Sequence, residues 1–566
     1  MIRRRHVFRV IVPLLVVAAV VAVTTRTQAA RNIFNDIKVY NKVLVAVFDQ
    51  YVDEVDSGDL IRASIEGMLG SLDQHTNFME KKQFDRLMLE TQGKYGGIGI
   101  SIDIRDDWLT VVSPIEGTPA FKLGIRAGDQ IVAIEEESTH GITTAEAASI
   151  LRGPKGTEVT ITIRRKGEPA PFEVTIVRDV IELNSVPDAR IVRDDIGYLR
   201  LSRFSEDTGE EVEAALRDLL DQGARGIVFD LRWNHGGLLT QAVSVSEMFL
   251  PKGELIAYTQ GRSERDRREF RSSSNTVFPD GIPVVILVNG STASASEIVA
   301  GALQDSDRAV ILGEPTYGKG LVQTLLPMSP EANLKLTTAR WYTPSGRCLQ
   351  RDTTGLINGK DPLDAEAVPE EPSEDAEEDE DADEDAGDDG GIVPDIEMEG
   401  DYRTRFGFEL EQQNHIFHFA VDFIAREKEI PTDFRVGESL VKEFRAFLET
   451  QDLEYETAAE MELTRLRDLL EKEEYDAETL SALEGLGARF ELEKGRDFDR
   501  NAEYVAFALE REILSKVHGT AGMYSAILRN DTQAQAAVDL ILDTEAFARA
   551  LAGVETQQRE IATDEG

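Results

Sequence analysis

Val288-Asn-Gly-Ser-Thr-Ala-Ser-Ala-Ser-Glu-Ile-Val-Ala-Gly-Ala-Leu-Gln-Asp305 runs from an apolar strand, through a tight turn of small residues, into a helix that opens at Ser294. Upstream the same alternation recurs, with strand patterns at Gly197–Leu201, Gly226–Leu231 and Val284–Asn289 and helix patterns at Glu210–Gln222 and Gly237–Phe249. Alternating elements of this kind predict an α/β core with parallel strand pairs. Glu297, three residues after Ser294, fits a capping box. A serine there faces unpaired backbone N–H groups and the positive end of the helix dipole, which is what a developing oxyanion requires. Ordinary helix capping explains the same pattern, so the serine alone decides nothing.

A second stretch, Gly313-Glu-Pro-Thr-Tyr-Gly-Lys-Gly-Leu-Val-Gln323, frames Lys319 between two glycines. A serine hydroxyl needs a base, and bringing a lysine pKa from about 10.4 to 7 or 8 takes roughly 4 kcal/mol of burial. Flanking glycines let the backbone approach closely; an exposed turn lysine is the alternative, and the spacing is wrong for a phosphate loop. A third stretch, Phe229-Asp-Leu-Arg-Trp-Asn-His-Gly-Gly237, is a strand end breaking into a Gly-Gly turn. Such a turn presents bare N–H groups that, with that of Ala295, would make a two-donor oxyanion hole, or it is a plain strand-to-helix loop.

The 566 residues predict several folded units. Residues 1–30 carry Arg3, Arg4, Arg5 and Arg9 before an uncharged run from Val10 to Thr25, which reads as a signal peptide or N-terminal membrane anchor. No cysteine lies near it, which argues against a lipoprotein, and the single Cys348 precludes an intramolecular disulfide. Export without disulfides suits a bacterial periplasm or the periplasmic face of the inner membrane. Residues 31–93 have helical spacing, with Ile37, Tyr40 and Val43 on one face. Residues 94–180 carry β-rich runs at Ile98–Ile104, Leu109–Val112, Gln130–Ile134, Glu158–Arg164 and Phe172–Val177 around one helical stretch, Thr144–Leu151. The α/β core fills 181–400. It contains an acidic insertion at 360–391, where sixteen Asp or Glu and no Lys or Arg lie between Asp364 and Asp389. Such a segment repels itself and cannot be packed. Residues 401–566 read as an all-helical domain. The net charge of -44 excludes nucleic acid as a partner. His415 and His418 lack a matching carboxylate motif and read as packing residues, so no metal and no cofactor is expected.

The block Val288–Gln323, the Asp230-Leu-Arg-x-Asn-x-Gly-Gly loop, Leu72-Asp73-x-His75 and Val393-Pro394-Asp395-Ile396 together resemble the carboxyl-terminal processing proteases, over roughly Ile37 to Glu399. The resemblance implies a crotonase/Clp-protease-like α/β core with an inserted PDZ module. It implies Ser294 as nucleophile, Lys319 as general base and Gln323 as the residue orienting the lysine, with Ala295 and Gly237 as oxyanion donors and Gly236 as the neighbouring candidate. Tyr95-Gly-Gly-Ile-Gly-Ile100 resembles a PDZ loop, which implies that Gly97, Ile98, Gly99 and Ile100 receive a peptide carboxyl-terminus. The expected partners are proteins or peptides with free carboxyl-termini, with an adaptor protein and a homo-oligomer left open. Asp305, about 16 Å along the helix from Ser294, is read as structural. His235 stands where the family has Pro or Ser and is the alternative base. A PDZ scaffold without activity and a crotonase-like acyl-CoA enzyme are the competing readings; the first leaves Ser294, Lys319 and Gln323 unexplained, the second the PDZ-like module.

Overall fold

The computed structural model describes residues 33–273, 276–351, 390–400, 404–427, 429–451 and 453–553. The proposed export segment 1–30 and the acidic run Asp364–Asp389 lie outside the described residues. Residues up to Phe84 with Gln323–Thr337 form one compact unit, and Asp85–Val322 with the chain from Thr338 onward form another.

In the first unit a helix over 33–50 precedes helix Ser57–Gly70, whose N-terminus is capped by Asp56 through the N–H groups of Gly58 and Asp59. Helical spacing is realised here, but Ile37, Tyr40 and Val43 stay 47%, 43% and 57% exposed, so the periodicity does not mark a buried face. Strand Asn77–Glu80 pairs antiparallel with Ala332–Lys335. Between helix and strand, Asp73 Oδ1 accepts the N–H groups of His75 and Thr76, each at 2.8 Å. Partial burial pushes this carboxyl up, but the hydrogen bonds from His75, Thr76 and Thr337 outweigh it and leave its pKa below the usual carboxylate value.

In the second unit the PDZ module is a sheet in the order Ile100–Arg105, Trp108–Pro114, Gln130–Ile134, Glu158–Arg164, Phe172–Val177. Alternation dictates its core: Val159, Ile161 and Ile163 are fully buried, with Thr160 and Thr162 between them partly exposed. Each such side chain contributes roughly 1.5–3 kcal/mol of burial. The helix Thr144–Leu151 begins at the capping box of Thr143 and Glu146. A two-stranded ribbon, Lys94–Gly97 against Asp179–Glu182, leads in and out of the module.

The α/β core is a six-stranded sheet in the order Asp188–Arg193, Ile196–Arg200, Gly226–Asp230, Val284–Val288, Val310–Gly313, Ile396–Glu397; the first pair is antiparallel and the rest parallel. Gly226–Asp230 and Val284–Val288 are buried along their whole length, as expected of parallel strands covered on both faces. One face packs on helices Thr208–Asp221, Leu239–Glu247 and Ala295–Asp305. The other is covered by Ala534, Ala537, Val538 and Ile541 of helix Thr532–Leu542. The helical tail is therefore not wholly separate: its helix Thr532–Leu542 completes the core around this sheet. Its own core gathers Phe406, Leu410, Phe419, Phe444, Leu509 and Ile513 among others.

Candidate active site

Three loops meet at the carboxyl ends of the parallel strands, the place where an open α/β sheet binds ligands. Ser294 precedes helix Ala295–Asp305 with φ 56° and ψ −114°. Most other non-glycine residues with positive φ are Asp, Glu or Asn; Ser294 and Trp233 are the exceptions. A left-handed serine is strained by about 1–3 kcal/mol and is held only by over-determined surroundings. Here they are visible. Ser294 N–H donates to Glu297 Oε2 at 2.6 Å, and Ala293 N–H donates to Asn234 O at 3.0 Å. The capping box expected of Ser294 and Glu297 is thus formed.

Glu297 does far more than cap. Its fully buried carboxylate also accepts Thr316 Oγ1–H at 2.6 Å, Gly318 N–H at 2.7 Å and Lys319 N–H at 3.0 Å. Burial pushes its pKa above the usual carboxylate value, against the pull of these donors. Tyr317 N–H reaches Thr292 O at 3.0 Å, a further tie between the lysine loop and the serine loop. Lys319 is half-buried. Its flanking glycines are required by close approach: a Cβ on Gly318 would lie 2.8 Å from Arg351 Cβ, and one on Gly320 would lie 2.2 Å from Gln350 N.

The Gly-Gly loop closes over the serine. A Cβ on Gly236 would lie 2.9 Å from both Ser294 Cβ and Ala295 N. Gly236 N–H is taken by Asn234 Oδ1 at 2.9 Å. Among the described residues the N–H groups of Gly237 and Ala295 have no protein acceptor, which favours Gly237 over Gly236 as the second oxyanion donor. Asn234 is fully buried and holds this loop: its Nδ2–H donates to Leu201 O, and its backbone carbonyl accepts Ser296 Oγ–H. Asp230, at the strand end, ion-pairs with Arg200 and Arg232, each at 2.7 Å, and accepts Tyr198 O–H at 2.6 Å. Burial raises its pKa, but the two guanidinium groups dominate and hold it well below the carboxylate range.

The remaining sequence-predicted residues are placed as follows. Gln323 lies in the first unit, where its Nε2 donates to His75 O at 3.3 Å. His235 is exposed. Asp305 pairs with Arg347 at 2.5 Å and accepts Ser345 N–H, a structural role. Asp395 of the Val-Pro-Asp-Ile stretch accepts Gln304 Nε2–H and Ile311 N–H, each at 2.7 Å. In the PDZ loop, Ile98 is 2% exposed and packs in the module's core. Gly99 interrupts the expected strand with φ 80°, and a Cβ there would lie 2.2 Å from Thr118 Cβ. Ile100, half-buried, starts the edge strand. Sequence reasoning missed Asn234 and the wider role of Glu297. Only the Ser-x-x-Glu spacing hinted at the latter.

Residues 195–357 match Peptidase family S41, 110–165 match a PDZ domain, and 406–541 match the domain described as "Probable PDZ-protease, C-terminal helical domain". The chain is 42% identical over 335 residues to the carboxy-terminal-processing protease of Bartonella bacilliformis, covering 58% of this chain and 76% of that one. It is 39% identical to the carboxyl-terminal-processing proteases of Synechocystis sp. and Picosynechococcus sp., covering 50% and 54% of this chain and 66% and 72% of theirs. A serine on a strained turn, bare amides beside it and a lysine loop tied to the same carboxylate suit a serine peptidase. The chain belongs to the carboxy-terminal processing proteases, the serine peptidases of family S41, with a PDZ domain and a carboxyl-terminal helical domain.

Proposed function

We propose that this chain is an ATP-independent endopeptidase that takes the carboxyl-termini of unfolded or precursor proteins on its PDZ module and cleaves with a Ser294–Lys319 dyad. The observation that carries the dyad is Glu297, whose one carboxylate holds the backbones of both Ser294 and Lys319. In this reading Ser294 Oγ attacks the scissile carbonyl as its proton passes to neutral Lys319 Nζ. The amides of Ala295 and Gly237 take up the charge that develops on the carbonyl oxygen. Lys319 returns the proton to the leaving amine, and water then hydrolyses the acyl-enzyme.

Capture on the PDZ module rests on two features. Among the described residues Ile100–Arg105 is an edge strand, paired only with Trp108–Pro114, so an extended peptide can add to it. The loop before it supplies backbone N–H groups for a carboxylate, with Ile100 beside them. Activity in the periplasm, after export by residues 1–30, completes the reading; fractionation of cells should find the protein outside the cytoplasm. The decisive test is labelling by a serine-reactive phosphonate, expected for the native chain and lost in Ser294→Ala. Equal labelling of both forms would remove Ser294 from the mechanism.

A further inference from the structure

The helical domain touches both the peptide-accepting module and the oxyanion loop. At the PDZ end it grips the tip of the edge hairpin. The guanidinium of Arg105, last residue of the edge strand, lies 3.6 Å from the ring centroid of Phe417, and Lys516 Nζ lies 4.0 Å from the same ring. Phe417 is 4% exposed yet stands outside the apolar cluster of its own domain, so these cations are part of what covers it. Lys516, 3% exposed, pairs with Glu512 at 2.8 Å. Arg105 is paired less closely: its Nε lies 3.7 Å from Asp103 Oδ2, and Nε and Nη1 are buried without a hydrogen bond. Nearby, His418 meets Asp106 at 3.3 Å, and His415 Nε2 is buried without a partner. Lys166 pairs with Asp422 at the rim.

Two cations meet over a single ring, the Lys516 head paired with Glu512 and Arg105 only loosely with the more exposed Asp103, so the contact is incompletely compensated. Cation–π attraction offsets part of the cost, but unpaired buried guanidinium nitrogens each forfeit a hydrogen bond to water. The seat therefore holds with a thin margin, unlike the apolar cores on either side of it.

At the other end the same domain holds the catalytic loop. Helix Ala502–Asn530, which carries Glu512 and Lys516, is kinked at Gly519, with φ 60°. Beyond the kink Ala521 O accepts Arg190 Nη2–H at 3.1 Å. The chain then continues to Asp531 and Gln533, which bind Arg232 Nη1 at 3.0 and 2.8 Å. Arg232 precedes Asn234, Gly236 and Gly237 on the oxyanion loop.

We propose that the carboxyl-terminal helical domain couples the PDZ module to the catalytic loop, holding the hairpin tip in a releasable seat at Phe417 and the oxyanion loop through Arg232. Peptide addition to Ile100–Arg105 releases the seat, and the helical domain transmits the release to the Arg232 loop. The proposal rests on the capture reading above.

Gly128 of the PDZ module offers a lock. A Cβ there would lie 3.7 Å from Val421 Cβ of the helical domain, within the range that a disulfide spans. The experiment uses the full chain in a Cys348→Ser background carrying Gly128→Cys and Val421→Cys. The substrates are one long peptide ending in Leu-Val, as free acid and as amide. The reduced form is the control for any strain at the positive-φ glycine. Oxidation is expected to lower kcat/KM for the free acid about tenfold, to the level of the amide, with reductant restoring it. Phe417→Ala, which removes the seat without touching the helical core, is expected to raise the amide toward the free acid. Collapse of the ratio from opposite sides is what a merely structural contact would not produce. If the native enzyme discriminates acid from amide and neither variant changes the ratio, or if oxidation lowers both substrates equally, the coupling is wrong. If the native enzyme shows no discrimination, the capture reading fails and the coupling falls with it.

Discussion

Lys319 donates its backbone N–H to Oε2 of Glu297 at 3.0 Å, across 22 residues of sequence. The same oxygen accepts Ser294 N–H at 2.6 Å, so one carboxylate fixes the spacing of the two loops that carry the proposed nucleophile and base.

Glu297→Ala would leave the donors of Ser294, Thr316, Gly318 and Lys319 buried and unpaired. Each unsatisfied group costs about 1–3 kcal/mol, so a loss of several kcal/mol in stability is expected from denaturant unfolding. Glu297→Gln keeps the shape but turns an amide N–H toward donors. It is expected to fold, with kcat reduced about 100-fold and KM little changed, because positioning rather than binding is lost. A Gln variant with native kcat would show that the carboxylate serves stability alone.

Ser294→Ala and Lys319→Ala are each expected to abolish peptide-bond cleavage while retaining the native thermal transition. The double variant should be no worse than either single one, since the residues act as a unit. His235→Ala should stay within about threefold of native, because an exposed imidazole has no role in this scheme. Native-like activity of Lys319→Ala would move the base to His235.

With a lysine as base, only its neutral form accepts the serine proton. The fraction of neutral amine rises with pH, so kcat/KM is expected to climb through the lysine's ionisation and then level off. Stopped assays from pH 6 to 9 on the native enzyme check this. A flat or falling profile would contradict a lysine base.

The strands of the PDZ module and of the parallel sheet were legible because burial imposes a periodicity. Val159, Ile161 and Ile163 alternate, and Val284–Val288 is apolar throughout. Ser294, Lys319 and the Gly-Gly turn were legible from local chemistry and from resemblance. What could not be read depends on contacts distant in sequence. Nothing local to Asp531 and Gln533 announces a bond to Arg232 some 299 and 301 residues earlier. Nothing in the tail's helical pattern separates Ala534–Ile541, which covers the catalytic sheet, from Phe406–Phe423, which builds a core of its own. The strand expected from Ile98 starts instead at Ile100 for a related reason: the left-handed Gly99 interrupts the alternation.

Recognition through the PDZ loop requires a free carboxylate, because backbone N–H groups at Gly97–Ile100 are donors without a counterpart for an amide N–H. Amidation of a test peptide is expected to raise KM at least about tenfold with kcat less affected. Gly99→Ala, whose methyl group would collide with Thr118, should lose the same discrimination. Equal kcat/KM for the acid and amide forms with the native enzyme would reassign the module to another role.

The acidic insertion leaves and re-enters the fold at one point. A Cβ on Gly390 would lie 2.3 Å from Arg351 Cα, and Gly391 N–H donates to Leu349 O at 3.0 Å. Arg351 and Gly390, which flank segment 352–389, are therefore already adjacent, and deleting Asp364–Asp389 leaves twelve residues, 352–363, to join them. Shortening the closed segment from 38 to 12 residues lowers the entropic cost of closure by about 1 kcal/mol. Removing sixteen negative charges also relieves self-repulsion near neutral pH. The deletion is thus expected to keep or slightly raise the midpoint of thermal unfolding and to leave cleavage of a short peptide within about threefold of native. The junction must retain Gly390 and Gly391. Gly391 packs 3.2 Å from Gly318 Cα when given a Cβ, and Arg351 N–H donates to Gly318 O at 3.0 Å, so this point also floors the lysine loop. A deletion that unfolds the protein, or that lowers kcat tenfold with both glycines in place, would show that the acidic segment itself supports the site.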